Sequence, residues 1–249
     1  KKLAKKSKCL SDIRREFITL QSMVRLTAMV VERCGGHITL LFSIWKESHL
    51  ARSQGSRGAG LNIAEGVEVT VEYLSTNQPE IEAKLSFGSQ LDTPAGPIVD
   101  GEIHIEVVSM DGMEMLQSEQ IYIDLVSELR MARLLKREDS YRIRVELELP
   151  TSQGFGMSAA GLIAVARAFR TLTKKGSEEQ YLRLAHRIER MHGSGLGDVL
   201  GISAKGVELR LEPGAPGSGG KVVSFTTHQP ILVVWQPEES RHTSKYIDD

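Results

Sequence analysis

Two short stretches hold residues whose types and spacing could do chemistry. The first is PTSQGFGMSAAG, residues 150–161, which follows a strand-like segment and leads into an apolar, helix-like run. Gly154 and Gly156 bring backbone without Cβ atoms to a helix start. There, unpaired N–H groups and the positive dipole end converge into an anion site. Ser158 adds a hydroxyl for a phosphate or for its metal. The second is AHRIERMHGSGLGDVLG, residues 185–201, with His186, Glu189 and Asp198 around a helix end and a glycine turn. Phosphoryl transfer from Mg-ATP needs a metal carboxylate and a group that orients or deprotonates the attacking hydroxyl, and Glu189 and Asp198 suit those tasks.

Each stretch also has plainer readings. A Walker loop is excluded, because no Lys-Ser or Lys-Thr follows the glycines, and GAPGSGGKV at 214–222 lacks the leading glycine and puts Val222 after Lys221. Gly154, Gly156 and Ala159 fit the GxGxxA of a dinucleotide fold. That fold also needs a parallel strand ending in an acid about 20 residues on, where KKGSEEQYLRLAHRIE reads as helix. A glycine turn used only for packing fits the segment alone equally well. Glu189 lies about 100° from the centre of its helix's apolar stripe, a common place for a solvated residue. Asp198 could be a helix cap, and a lone His186 is commonly structural.

The elements that position these residues follow from periodicity. HITLLFSI (37–44) and VEVTVEYL (67–74) read as strands of a hairpin, with GSRGAG (55–60) as a glycine-rich turn. EIEAKLSF and EIHIEVVSM alternate similarly around TPAGP (93–97), and IYIDLVSELRMARLLKRE predicts a helix. In YRIRVELEL, Tyr141, Ile143, Val145, Leu147 and Leu149 share one face while charged residues share the other, which favours an antiparallel or mixed sheet. A helix over SAAGLIAVARAFRTLT stops near KKG. The next starts in a capping box, SEEQ at 177–180, with Tyr181, Leu184, Ala185, Ile188 and Met191 on its apolar stripe. VELRLEP and PILVVWQ read as strands split by a flexible GAPGSGG.

Composition narrows the class of function. The 249 residues are 41% hydrophobic and 25% charged, with net charge −1. That charge gives no field to recruit nucleic acid or an anionic membrane. Cys9 and Cys34 are too few for a disulfide scaffold or a four-ligand zinc site, so a reducing cytoplasm is expected. KKLAKKSK reads as a solvated tail, and no run approaches the roughly 18 apolar residues of a spanning helix.

The motif P-x-x-x-G-F-G-M-S-A-A at 150–160 resembles the second signature of the GHMP kinase superfamily, usually P-x-x-x-G-L-G-S-S-A-A. The order of Glu189 and Asp198 after it resembles that family's metal-binding Glu followed by a catalytic Asp. Within the superfamily, GHITLLFSI, GSRGAGLNIAEGVEVTV, GFGMSAAG and SGLGD resemble motifs of the archaeal-type pantoate kinases, in order, over roughly residues 35–217. The resemblance implies that Gly154, Phe155, Gly156, Met157, Ser158 and Ala159 hold ATP phosphates. It further implies that Ser158 and Glu189 serve Mg²⁺, that Asp198 activates the hydroxyl, and that Ser56, His186 and Arg210 contact pantoate. Arg57 is a second candidate for the substrate carboxylate, since either arginine offers a bidentate fork.

The implied reaction is ATP plus (R)-pantoate giving 4-phosphopantoate and ADP, a step towards coenzyme A, in a cytoplasmic enzyme that by family analogy is a homodimer. Two departures stand out: CGG replaces the usual Pro-Gly before His37, and Leu40 stands where the family has Gly. The expected fold is α+β. Residues 1–33 are read as an N-terminal extension, 34–205 as a ribosomal-S5-like N-terminal domain, and 206–249 as the start of a smaller, truncated C-terminal α+β domain. Another GHMP kinase acting on homoserine, mevalonate or a sugar, or a non-catalytic nucleotide-binding homologue, are the alternatives.

Overall fold

The computed structural model describes residues 28–45, 50–76, 99–115, 118–227 and 229–235. EIEAKLSF, TPAGP, KKLAKKSK and the final RHTSKYIDD lie outside the described residues. The framework is a long antiparallel ribbon of β1 (Met29–Trp45) and β2 (Gly55–Thr76). Strand β1 therefore begins inside the stretch read as an extension. GSRGAG is not the turn of this hairpin but the first part of β2, and the chain reverses before Gly55. Its glycines mark close backbone approach within a strand: a Cβ on Gly58 would lie 2.1 Å from the Leu41 carbonyl oxygen.

On its edge away from β1, β2 is shared between two further strands. Its second half pairs antiparallel with β4 (Asp139–Leu147), which pairs parallel with β3 (Ile103–Val108). The mixed sheet expected from the wet and dry faces of residues 141–149 is present. Val69 lies opposite Val145 and Val71 opposite Ile143, all fully buried. The first half of β2 pairs, over Gly58–Leu61, with β5 (Val207–Glu212). After the short β6 (Ala215–Pro216), β7 (Gly219–Phe225) pairs with β5. The sheet thus runs on through residue 225. GlyGlyLys at 219–221 opens a strand where a flexible loop was expected, and the described part of PILVVWQ is irregular.

Among the described residues, four helices cover the sheet's apolar face and its end. Helix α1 (Gln120–Met131) is shorter than its predicted span, because the chain turns at Arg133, φ 59°. Helix α2 (Met157–Thr173) is the central one, with Ala160, Leu162, Ile163 and Phe169 fully buried, and Phe169 packs edge-on against Tyr141 at 5.0 Å. Helix α3 (Glu178–Met191) opens with both bonds of the predicted capping box in place. Its buried face is rotated from the predicted stripe: Leu182, His186 and Glu189 are inside, while Met191 is 57% exposed. Helix α4 (Asp198–Ala204) follows the glycine turn.

Candidate active site

The glycine loop reaches the sheet where β1 and β2 change register, between Gly35 and His37. There the His37 N–H donates to the Phe155 carbonyl at 2.9 Å. Gly154 (φ 82°) and Gly156 (φ 64°) take left-handed conformations, Gly156 as N-cap of α2, so the loop turns sharply into the helix. No side chain caps α2, which leaves its first-turn N–H groups for an anion. Residues 154–159 line a cavity of about 320 Å³ that Ser56, Asp198 and Arg210 also line.

Asp198 is the first residue of α4, and its place is fixed from below by Glu189. The N–H groups of Asp198 and Val199 donate to Glu189 Oε1 at 3.2 and 3.3 Å. Arg210 is 2% exposed on β5, where Nη1 donates to Ser56 Oγ at 3.0 Å and Nε lies 3.2 Å from Glu208 Oε1. Its Nη2 is buried without a hydrogen-bond partner, which suits it to a carboxylate or phosphate in the cavity. Gly197 makes this contact possible, since a Cβ there would lie 2.6 Å from Ser56 Oγ and 2.9 Å from Arg210 Nη1.

His37 was missed as a site residue. It is fully buried, with Nδ1 2.9 Å from Asp198 Oδ1 and Nε2 3.0 Å from Glu208 Oε1. Burial disfavours its charged form, but hydrogen bonds to Asp198 and Glu208 outweigh that and raise its pKa to about 9. For Asp198, by contrast, burial works upward. The hydrogen bond and charge of His37, the charge of Arg210 and the Thr39 hydroxyl win, holding the carboxyl below its usual range. The signal available in sequence was a lone histidine after two glycines in an otherwise apolar strand. Its carboxylate partners lie 161 and 171 residues away.

Of the sequence-predicted residues, the cavity brings together Ser56, residues 154–159, Asp198 and Arg210. It does not bring in Arg57, His186 or Glu189. Arg57 alternates to the face opposite Ser56, where its exposed guanidinium sits 5.7 Å over the Trp45 ring. His186 and Glu189 are both fully buried. His186 Nε2–H donates to the Gln54 carbonyl at 3.1 Å, and its Nδ1 lies 3.3 Å from Glu189 Oε2. Glu189 is therefore not the solvated helix residue its angular position favoured; its carboxylate braces the start of α4. As placed, it does not fit a cation in the cavity: Oε1 accepts two N–H groups and Oε2 faces His186. No group of three His, Cys, Asp or Glu among the described residues is arranged to hold a metal ion. No helix among them is long and apolar enough to cross a membrane.

Residues 124–206 match the family described as GHMP kinases N terminal domain, a span that contains the glycine loop, Glu189 and Asp198. The fold is that of the GHMP kinases. The chain is 29% identical over 204 residues to a pantoate kinase of Methanospirillum hungatei, covering 81% of this chain and 58% of that protein. With a pantoate kinase of Thermococcus kodakarensis the identity is 29% over 199 residues, covering 80% of this chain and 57% of that protein. A solved structure described as a phosphotransferase related to the CoA biosynthesis pathway superposes with a TM-score of 0.61 at 25% identity, covering 81% of this chain and 58% of its own. The chain thus spans a little over half the length of the curated relatives it matches.

Proposed function

We propose that this chain carries the phosphate loop and acceptor site of a pantoate kinase, which transfers the γ-phosphoryl group of ATP to the primary hydroxyl of (R)-pantoate. The observation that carries the reading is the pairing, in one cavity, of a bare-backbone anion loop with an ionised carboxylate and a buried guanidinium that has an unpartnered Nη2. ATP phosphates sit on the N–H groups of residues 154–159, and the positive end of α2 stabilises charge on the transferred group. Arg210, steadied by Ser56, takes the pantoate carboxylate.

Asp198 accepts a hydrogen bond from the pantoate hydroxyl and orients it. As the oxygen–phosphorus bond forms and the bond to ADP breaks, the hydroxyl proton passes to Asp198. A carboxyl held below its usual range is a weak base, which is adequate here, because the loose transition state of phosphoryl transfer demands positioning more than early proton removal. Mg²⁺ bound with ATP would offset phosphate charge, and Ser158 is one of the hydroxyl-bearing residues lining the cavity that would hold it. Glu189 does not fit that cation as placed. The cytoplasm, where ATP is abundant, is the matching compartment.

A coupled ADP-release assay with pantoate, homoserine, mevalonate and a sugar as acceptors tests this reading. Pantoate-dependent ADP release supports it. Turnover of another acceptor with pantoate inert refutes it in favour of a different GHMP kinase, and nucleotide binding without any turnover refutes it in favour of a non-catalytic homologue.

A further inference from the structure

We propose that His37 is a positioning residue, an imidazolium that joins Asp198 and, through Glu208, Arg210 into one chain of alternating charge. Its catalytic consequence rests on the kinase reading above; its structural content does not. Each ring nitrogen faces a carboxylate oxygen, at 2.9 Å on the Asp198 side and 3.0 Å on the Glu208 side. A neutral imidazole has one donor and one acceptor, so a neutral ring would turn a lone pair on one of the two carboxyl oxygens it faces, whereas an imidazolium donates to both. Beyond Glu208 the sequence of charges continues to Arg210, 3.2 Å from the same Oε1.

The slot around the ring is cut to its shape. A Cβ on Gly60 would lie 2.3 Å from His37 Nε2, and one on Gly201 would lie 2.7 Å from it. A Cβ on Gly156 would come within 3.2 Å of the His37 Cβ. The charged groups that face His37 are Asp198 from α4 and Glu208 and Arg210 from β5. From β2 and the phosphate loop it meets glycine, and on its own strand the Thr39 hydroxyl lies 3.5 Å from Nδ1.

This arrangement separates two kinds of support. The His37 backbone N–H holds the phosphate loop, a contact that any non-proline substitution retains. The His37 ring holds the acceptor half of the site. Losing the ring therefore disturbs Asp198 and Arg210 together and leaves the nucleotide half intact. A merely structural histidine predicts no such division.

The direct test is ¹⁵N-histidine NMR of the full chain without ligand, titrated from pH 6 to 10. Both His37 nitrogens are expected to be protonated at pH 7, with a midpoint near the value of about 9 that its partners impose. A neutral ring at pH 7 overturns the proposal. In Glu208→Gln, which keeps the ring, the midpoint is expected to fall; an unchanged midpoint removes Glu208 from the chain and overturns the link to Arg210.

In pantoate-dependent ADP release, His37→Asn and His37→Gln are expected to lower kcat by roughly 100-fold, on the scale of lost general-base positioning, and to raise the pantoate KM by about 10-fold. Nucleotide affinity should stay within about 2-fold. If both variants fail to fold, Glu208→Gln carries the kinetic test with the same KM division, and equal losses for both substrates overturn the proposal. An imidazolium at pH 7 in a chain that turns over no acceptor upholds the charge chain and sinks the kinase reading.

Discussion

The glycine loop and the charged chain border one cavity but are built by opposite means. The loop is six consecutive residues, 154–159, whose proposed hold on an anion rests on backbone N–H groups and the end of α2. The charged chain is four side chains, Asp198, His37, Glu208 and Arg210, drawn from α4, β1 and β5. A site made of backbone tolerates side-chain exchange but not a change of conformation, which is why Met157 can stand where the related motif has serine. A site made of interlocked charges has the reverse sensitivity. Deleting one member leaves its neighbours buried and unpaired.

The sharpest break in this comparison is Asp198→Ala. Turnover with pantoate is expected to fall by about 10³-fold, equivalent to about 4 kcal/mol of barrier, because the hydroxyl loses its acceptor. Nucleotide affinity measured by calorimetry should change by less than about 3-fold, since the loop binds through backbone. A parallel loss of nucleotide affinity would show that the two halves are one unit. Unchanged turnover would remove Asp198 from its role.

Alkaline titration tests the charged chain as a stabilising element. His37 rises from 6.5 to about 9 in the folded protein, so the folded state holds its proton more tightly than the unfolded chain. The associated stability is whole below pH 6.5, declines above it, and is gone once pH passes about 9. The displacement corresponds to about 3 kcal/mol. Asp198 reports the same contact from the other side: its lowered pKa gives stability present at neutral pH and lost as pH falls through its native value. Denaturant unfolding between pH 6.5 and 10 should show the alkaline decline in the natural chain and a nearly flat profile in His37→Asn. Burial pushes the Cys34 thiol up to about 11, so it stays protonated across most of this window. An equal decline in both proteins would assign the effect elsewhere.

The same contrast explains what the sequence disclosed. The loop was legible because its determinants are adjacent: two glycines, a small-residue run and a helix start. The alternation of Tyr141, Ile143, Val145 and Leu147 and the Ser177 capping box were legible for the same local reason. The charged chain was only half visible. Asp198, Arg210 and Ser56 entered through resemblance to a family pattern, while His37 gains its meaning only when the fold closes on it from 161 residues away.

Glu189 and the GSRGAG segment fail in the same way. The angle of Glu189 on α3 points to solvent until α4 starts beside it with two N–H groups to satisfy. Glycines at 58 and 60 read as a turn until β1 lies against them, with the Leu41 carbonyl and the His37 ring in the space a side chain would fill. Such features depend on what arrives from elsewhere in the chain, and no window of ten residues contains it.

Gly156→Ala probes the loop by the sensitivity the charged chain lacks. Its φ of 64° costs a residue with a Cβ about 1–2 kcal/mol. The new methyl would also press on the His37 Cβ at 3.2 Å. Stability should fall by that amount, and nucleotide affinity should fall by about 10-fold as the N–H groups tilt. A substitution at Gly154, whose Cβ would meet nothing within 4 Å, isolates the conformational part of the cost. If Gly154→Ala and Gly156→Ala behave alike, the contact with His37 contributes little and conformation alone shapes the loop.

The smallest expected effect belongs to Arg57, the one predicted arginine that faces away. Its guanidinium lies over Trp45 on the outer face of the sheet, in an exposed cation–π contact worth about 0.5–1 kcal/mol at most. Arg57→Ala should leave the pantoate KM within about 2-fold and stability within about 1 kcal/mol. Arg210→Ala, one strand over and buried, strips Glu208 of a cation and the acceptor of its guanidinium, so its pantoate KM should rise by about 100-fold, as for the loss of a charge-assisted contact. The two arginines differ in sequence only by which strand position they occupy. A large effect at Arg57 would therefore mean that the acceptor approaches from the outer face of the sheet, and that the charged chain around His37 serves stability alone.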